Sequence, residues 1–311
     1  MKLTLPESSL AIHQLSTVPE ELLWRANFNS DQTVETYDVS VKQFGAFLGI
    51  QKSEELRTVG RAHVLAFRRF LQEQGKSNAT INTRLSALSS FYAHLMESQL
   101  IRENPVSGVK RMKDQYSTVK TKCLTKEEAR RMLDCPDVST LKGLRDRAIL
   151  HTLFYMGGRV SEIAKLKVRD YFEERGYWIL DMQLKGGRRN RQPVHPELKQ
   201  ALEDYLAVSG HQYLPDSPMF LPVKMWKKTE SPQNLTRLTL SLIWHHYEKL
   251  AGISGTSCHS SRTTFITEAL NNQVPIDAVQ RTVGHQSIRT TQKYDQRESK
   301  YKDSATLAVR F

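Results

Sequence analysis

The sequence predicts a mostly α-helical chain of two domains, with one small β-sheet in the second. Three observations carry this. Apolar residues recur at spacings of three and four through residues 31–104 and again toward the C-terminus. Alternation with a period of two is confined to Trp178, Leu180 and Met182. Between residues 110 and 122 apolar periodicity disappears and basic residues accumulate, as in a linker. A length of 311 residues accommodates two ordinary domains.

Residues 1–15 read as an arm. Residues 16–109 read as a small bundle of four short helices. Asp31 is placed to cap a helix whose Val34, Tyr37, Val41, Phe44 and Leu48 form one apolar stripe. Val64, Phe67 and Leu71 repeat the pattern, with Gly75 as the stop. Ile81, Leu85, Leu88, Phe91 and Leu95 mark a longer helix, and the turn dipeptide Asn104-Pro105 closes the block. Residues 123–311 form the second domain. Thr125 and Glu128 predict a capping box, and a helix runs from about Leu144 to Phe154. A strand follows at Trp178–Met182, then a Gly186-Gly187 turn and a returning strand at Gln192–Val194. The remainder reads as helix, with Pro275 at the first position of one helix and Gly284 at its end.

Lys and Arg total 45 against 33 Asp and Glu, a formal charge of +12 and a pI near 9.6. Such an excess attracts polyanions, nucleic acid first and an anionic membrane surface second. No apolar run approaches the ~20 residues that cross a bilayer, and the first twenty residues lack the pattern of a signal peptide. The three cysteines, Cys123, Cys135 and Cys258, are far apart and form no CxxC pair. Neither a disulfide framework nor a zinc ribbon is expected, and a cytoplasmic location fits.

The C-terminal third holds the residues with chemistry. His259 and Arg262 lie three apart in CHSSRTTFITEAL, on one face of a helix. His285 follows the Gly284 helix stop, and Tyr294 comes nine residues later. Singly, each has an ordinary explanation: a solvated arginine, a histidine at a turn, a packing tyrosine. Their order along the chain is what distinguishes them. GGRVSEIAKLKVRDY carries Arg159, LKGGRRNR carries Lys185, HSSR carries His259 and Arg262, and VGHQSIRTTQKYDQ carries His285 and Tyr294. In these segments, and in TINTRLSALSSFYAHL followed by Glu103-Asn104-Pro105, the sequence resembles the tyrosine recombinases of the phage-integrase type over nearly its whole length. It departs from that pattern at Ser261, where a leucine is usual, and at Thr263, where a histidine is common.

The resemblance implies a C-shaped clamp around double-stranded DNA, with a helical core-binding domain and a catalytic domain. It implies that Tyr294 is the nucleophile, that Arg159 and Arg262 hold the scissile phosphate, and that His259 is the general base. His285 would be a further phosphate donor and Lys185 the acid for the leaving 5′-hydroxyl. Two always-charged guanidinium forks suit the charge that grows on the non-bridging oxygens, so no metal is expected, and because phosphoester energy is conserved no ATP is expected either. Lys110, Arg111, Lys113, Lys120 and Lys122 make a basic strap or a solvated hinge. Arg188, Arg189 and Arg191 accompany Lys185 on the hairpin with no acid between residues 185 and 196, and a DNA contact is expected there. The apolar tail residues Ala305, Leu307, Ala308, Val309 and Phe311 either pack on their own domain or dock on a neighbouring protomer, in a dimer per site and a tetrameric synapse. The same motifs fit a type IB topoisomerase-like enzyme, or a DNA-binding protein on this fold that no longer cuts. They are common to integrases of mobile elements, chromosome-dimer resolvases and transposon resolvases.

Tyr294→Phe is expected to keep DNA binding and abolish the covalent protein–DNA adduct, whereas Tyr301→Phe should form adduct normally. The reverse result on denaturing gels would move the nucleophile to Tyr301.

Overall fold

The computed structural model describes residues 20–113, 121–184, 187–223, 233–296 and 305–309. It is mostly α-helical with one small antiparallel sheet. The chain divides into two compact units, Met1–Gln115 and Tyr116–Phe311. The expected arm at residues 1–15 lies outside the described residues. No helix among the described residues is long and apolar enough to cross a membrane.

The first unit contains α1 (Glu20–Ala26), α2 (Asp31–Leu48), a 3-10 turn (Ser53–Thr58), α3 (Arg61–Glu73) and α4 (Asn78–Glu97). Ser30 occupies the N-cap of α2, and Asp31 is the acid of its first turn, one position from the predicted cap. The expected stripes converge: Phe44, Val64, Phe67, Leu71, Ile81, Leu85, Leu88, Phe91 and Leu95 form one core with Trp24 of α1 and Leu56 of the 3-10 turn. The basic strap begins on this unit. Arg68 Nη1 donates to the Lys110 carbonyl at 3.0 Å, and Asn78 Nδ2 to that of Lys113 at 2.7 Å. Asn82 pairs with both backbone groups of Met112, and the Arg111 guanidinium reaches the Asn82 carbonyl at 3.4 Å. Residues 110–113 are thus a segment laid along α4. Lys120 lies outside the described residues.

The second unit is built around α6 (Leu141–Met156), which follows α5 (Lys126–Asp134). Thr125 and Glu128 close the predicted capping box on α5. Helix α6 is buried on nearly every side, as expected of a helix without an amphipathic stripe. It ends at Gly157, φ +54°, and delivers the chain to the short α7 (Val160–Ile163). The sheet runs β1 (Tyr171–Glu174), β2 (Tyr177–Gln183), β3 (Arg189–Pro193), in that spatial order. The sequence revealed the second and third strands; β1 is too short to show alternation. Helices α8 (Pro196–Ser209), α9 (Arg237–Leu250) and α10 (Cys258–Asn271) complete the main core. A smaller cluster, Ile266, Leu270, Val279 and Val283, joins α10 to α11 (Ile276–Val283) and has Tyr294 packed against it. Pro275 is the N-cap of α11, one position before the predicted one. Helices α12 (Ile288–Lys293) and α13 (Ala305–Ala308) end the described chain.

Gly284 ties the hairpin to the C-terminal helices. It sits at φ +66°, where L side chains are strained, and a Cβ there would enter the side chain of the buried Leu184. Asn190 Nδ2 on β3 also donates to the Thr282 carbonyl at 2.8 Å. Gly284→Ala is therefore expected to lose ~1–3 kcal/mol in chemical denaturation. Unchanged stability would show that Leu184 and the turn yield without cost.

Candidate active site

The N-terminus of α10 is fixed first. Ser257 caps it, accepting from the His259 amide at 3.3 Å, while Ser260 Oγ accepts from the Ser257 amide. This places His259 in the first turn and Arg262 one turn later. His259 Nε2 and the Tyr294 hydroxyl are 2.6 Å apart. Tyr294 is held from behind: Thr267 Oγ1 donates to its carbonyl at 3.1 Å. Its ring meets His259 edge-on and lies nearly stacked on His285, with centroids 5.3 Å apart in the latter pair.

Arg262 is fully buried. Nη1 donates to the Gly157 carbonyl at 2.7 Å and Nη2 to the Val283 carbonyl at 2.8 Å. Both acceptors lie at helix C-termini, where carbonyls have no intrahelical partner. Its Nε has no partner among the described residues. Burial, then the charge of Arg159, lowers its pKa to about 10, so it stays a cation at neutral pH. Arg159 is half-exposed and bonded through Nη1 to Glu162 Oε1 at 2.7 Å; its amide donates to the other oxygen of Glu162 at 2.8 Å. Glu162 is buried. Its signal in the sequence is the Arg159-x-x-Glu162 spacing, and in the structure its carboxylate forms half of a capping box by accepting the Arg159 amide, while a guanidinium has no acceptor for the other half.

The two histidines sit in a positive field. Burial, then Arg262 and Arg159, pushes the His259 pKa down. The same causes in the same order, with a further contribution from His259, push that of His285 down to about 3. Both rings are neutral at pH 7, and a neutral His259 can accept the Tyr294 proton. His285 is buried, and its Nδ1 lies 3.0 Å from Thr291 Oγ1. Ser261 and Thr263, the two departures from the expected motif, direct their hydroxyls to carbonyls of their own helix, Cys258 and His259.

Five of the six predicted catalytic residues lie in the described chain, and they gather around Tyr294 and Arg262. Lys185 lies outside the described residues; its neighbour Leu184 packs against Gly284. The basic residues fare differently. Arg189 is bonded to Asp170 and Asp181, each within 3.0 Å. Arg191 pairs with Asp181 and Glu174 and lies over the Phe172 ring. Arg188 is exposed. Lys122 pairs with Glu128 at 3.1 Å. Residues 185–196 have no acid, but antiparallel register sets Asp181 of β2 opposite Arg191, and Asp170 comes from the 3-10 turn before β1.

The sequence matches the phage integrase family over residues 122–300 and the phage integrase N-terminal SAM-like domain over residues 20–99. The chain belongs to the phage integrase family. Within that class it is a tyrosine recombinase, an enzyme of site-specific recombination that cleaves and rejoins DNA. It is 31% identical to the tyrosine recombinase XerC of Myxococcus xanthus over 280 residues, covering 86% of this chain and 88% of the relative. Identity to XerD of Shewanella oneidensis is 30% over 278 residues, 88% of each chain. Among solved structures, the fold is shared with a lambda integrase dimer bound to a COC′ core site (TM-score 0.68, 17% identity, 96% of this chain and 80% of that one). It is also shared with the XerA recombinase (TM-score 0.52, 22% identity, 94% and 97%).

The depressed His285 pKa has a consequence for stability. In the unfolded chain an imidazole titrates near ~6.5. Between that pH and about 3 the unfolded state binds a proton that folded His285 refuses. Its contribution is thus complete above pH ~6.5 and is lost as pH falls, by up to ~1.4 kcal/mol per pH unit. His285→Gln should lose stability less steeply than the wild type between pH ~6.5 and ~4.5. Equal slopes in urea denaturation would show that His285 titrates normally.

Proposed function

We propose that this chain cuts one strand of double-stranded DNA at a recombination site by attack of Tyr294 on the scissile phosphate. The observation that carries the reading is the 2.6 Å contact of the Tyr294 hydroxyl with His259 Nε2, beside the buried Arg262. The tyrosyl oxygen bonds to phosphorus as its proton passes to His259 Nε2. Arg159 and Arg262 stabilise the growing charge on the non-bridging oxygens, and His285 donates a further hydrogen bond. The bond from phosphorus to the 5′-oxygen breaks, and Lys185 supplies the proton that makes a 5′-hydroxyl. The product is a 3′-phosphotyrosyl bond, and attack by another strand's 5′-hydroxyl reverses the step and exchanges strands. One phosphoester replaces another at each stage, so no ATP and no metal enters the scheme.

Two protomers are proposed per site and four in the synapse, in the cytoplasm. The related structures include a lambda integrase dimer on a core site and a lambda integrase tetramer on a Holliday junction. Leu307 and Val309 of the tail are 74% and 56% exposed, an apolar surface that suits a neighbouring protomer. A cavity of about 1080 Å³, lined in part by Leu133, Phe154, Phe265 and Ala269, offers such a segment a place. Lys110, Arg111, Lys113, Lys120 and Arg188 are assigned to the phosphate backbone, with Lys122, Arg189 and Arg191 reaching it only as ion-paired side chains.

The test is incubation with a nicked duplex in EDTA, followed by denaturing electrophoresis. Wild-type protein should give a covalent adduct, and an absolute need for Mg²⁺ in cleavage would refute the scheme. Lys185→Ala should slow cleavage by ~10²–10⁴ if the lysine is the acid. Sulfur in place of the bridging 5′-oxygen should restore most of that rate, because a thiol of pKa ~8.5 leaves without an acid. Arg262→Ala should gain little from the sulfur. No rescue of Lys185→Ala would mean that the lysine only holds the phosphate or the hairpin, and would place the acid elsewhere. Removing residues 304–311 should spare single-site binding and weaken recombination; an equal loss of monomer stability would show that the tail packs on its own domain.

A further inference from the structure

Thr291 lies on α12, three residues before Tyr294, and is fully buried. Buried hydroxyls place their protons on an acceptor. Thr263 and Thr267 give theirs to backbone carbonyls, as do Thr152 and Thr282 with the carbonyl four residues back. Thr291 makes none of these bonds. The one hydrogen bond of its hydroxyl among the described residues is the 3.0 Å contact with His285 Nδ1.

A neutral imidazole carries one N–H and one bare nitrogen. If Nδ1 held the proton, the Thr291 hydroxyl would accept it and leave its own hydrogen buried without an acceptor. If Nδ1 is bare, Thr291 donates, and both the hydroxyl and Nδ1 are satisfied. We propose that Thr291 is a positioning residue: by donating to Nδ1 it holds His285 as the tautomer protonated on Nε2, the form able to donate a hydrogen bond to a phosphate oxygen. The opposite tautomer would turn a lone pair toward the phosphate and repel it.

The backbone of His285 is also clamped. The His285 amide donates to the Gln280 carbonyl at 3.0 Å, and Gln280 Nε2 donates to the His285 carbonyl at 3.1 Å. The imidazole lies nearly stacked on the Tyr294 ring. With the backbone clamped and one face covered, the Thr291 hydroxyl decides which nitrogen carries hydrogen. The burial that keeps His285 neutral makes the choice matter, since an imidazolium would donate from both nitrogens. This inference rests on the reading of His285 as a phosphate donor.

The experiment separates the two. In ¹⁵N-labelled full-length protein, the side-chain nitrogen shifts of His285 report its tautomer directly. The wild type and Thr291→Ser should show the hydrogen on Nε2; Thr291→Val, nearly the same shape, should lose that preference. On the nicked duplex, Thr291→Val should cleave ~10–100-fold more slowly, with duplex binding unchanged, and Thr291→Ser should recover most of the rate. A wild-type His285 protonated on Nδ1 overturns the inference whether or not the variants fold. So does a slow His285→Ala beside a Thr291→Val of normal rate. Normal cleavage by His285→Ala, with the Nε2–H tautomer observed, would instead refute the phosphate-donor role and with it the function given to the tautomer.

Discussion

The catalytic unit depends on a cation with no water around it. Taking a guanidinium out of water costs several kcal/mol unless its hydrogens find strong acceptors. Arg262 finds two, the Gly157 and Val283 carbonyls at the C-termini of α6 and α11. Helix C-termini are the negative ends of the helix dipole, so the bonds are charge-assisted on both counts. Geometry follows from this. The chain leaving α6 carries Arg159, the chain leaving α11 carries His285, and α10, which supplies Arg262, also carries His259. One side chain thereby fixes the relative positions of three helices and of the residues they present. Gly157 is required because its φ is +54° and a Cβ would run into the Phe265 ring. Carbonyls are dipoles and not anions, so the arrangement keeps its positive charge.

Burial, and after it that retained charge, sets the state of the two imidazoles. Out of water and beside two guanidiniums they are poor places for more protons, and both histidine pKa values are lowered. A neutral His259 at 2.6 Å from a phenol is a ready base. Glu162 tempers the field at one point by bonding the Arg159 amide and guanidinium together. It fixes the direction of that arginine while leaving the side chain half-exposed.

The hairpin illustrates how pairing changes the meaning of charge. As sequence, Arg188-Arg189-Asn190-Arg191 is an uncompensated basic run. In the sheet, Arg189 and Arg191 share the buried Asp181, and Asp170 and Glu174 complete the network. These pairs hold the strands together and reduce the charge left for a polyanion. Likewise the strap residues after Gly108 are ordered on the first unit by Arg68, Asn78 and Asn82 acting on backbone groups, and their own side chains do little of that work.

What the sequence determined by itself was what local spacing can express. Helical stripes such as Val64-Phe67-Leu71, the Thr125–Glu128 box, the Gly75 and Gly284 stops and the alternation at Trp178–Met182 depend on neighbours within a turn or two. The same is true of the ordered set Arg159, His259, Arg262, His285 and Tyr294, whose spacing within each motif is local. Other features passed unseen because their partners are distant in the chain. Nothing near Arg262 announces that its acceptors are the carbonyls of Gly157 and Val283, 105 and 21 residues away. Nothing in the run Arg188–Arg191 shows that Asp170 and Asp181 pair with two of its arginines. Thr291 reads as an ordinary helical threonine until the fold sets His285 beside it. Only tertiary structure decides such matters, because a buried charge or hydroxyl takes whichever partner packing brings within about 3 Å, and sequence separation exerts no force on that choice.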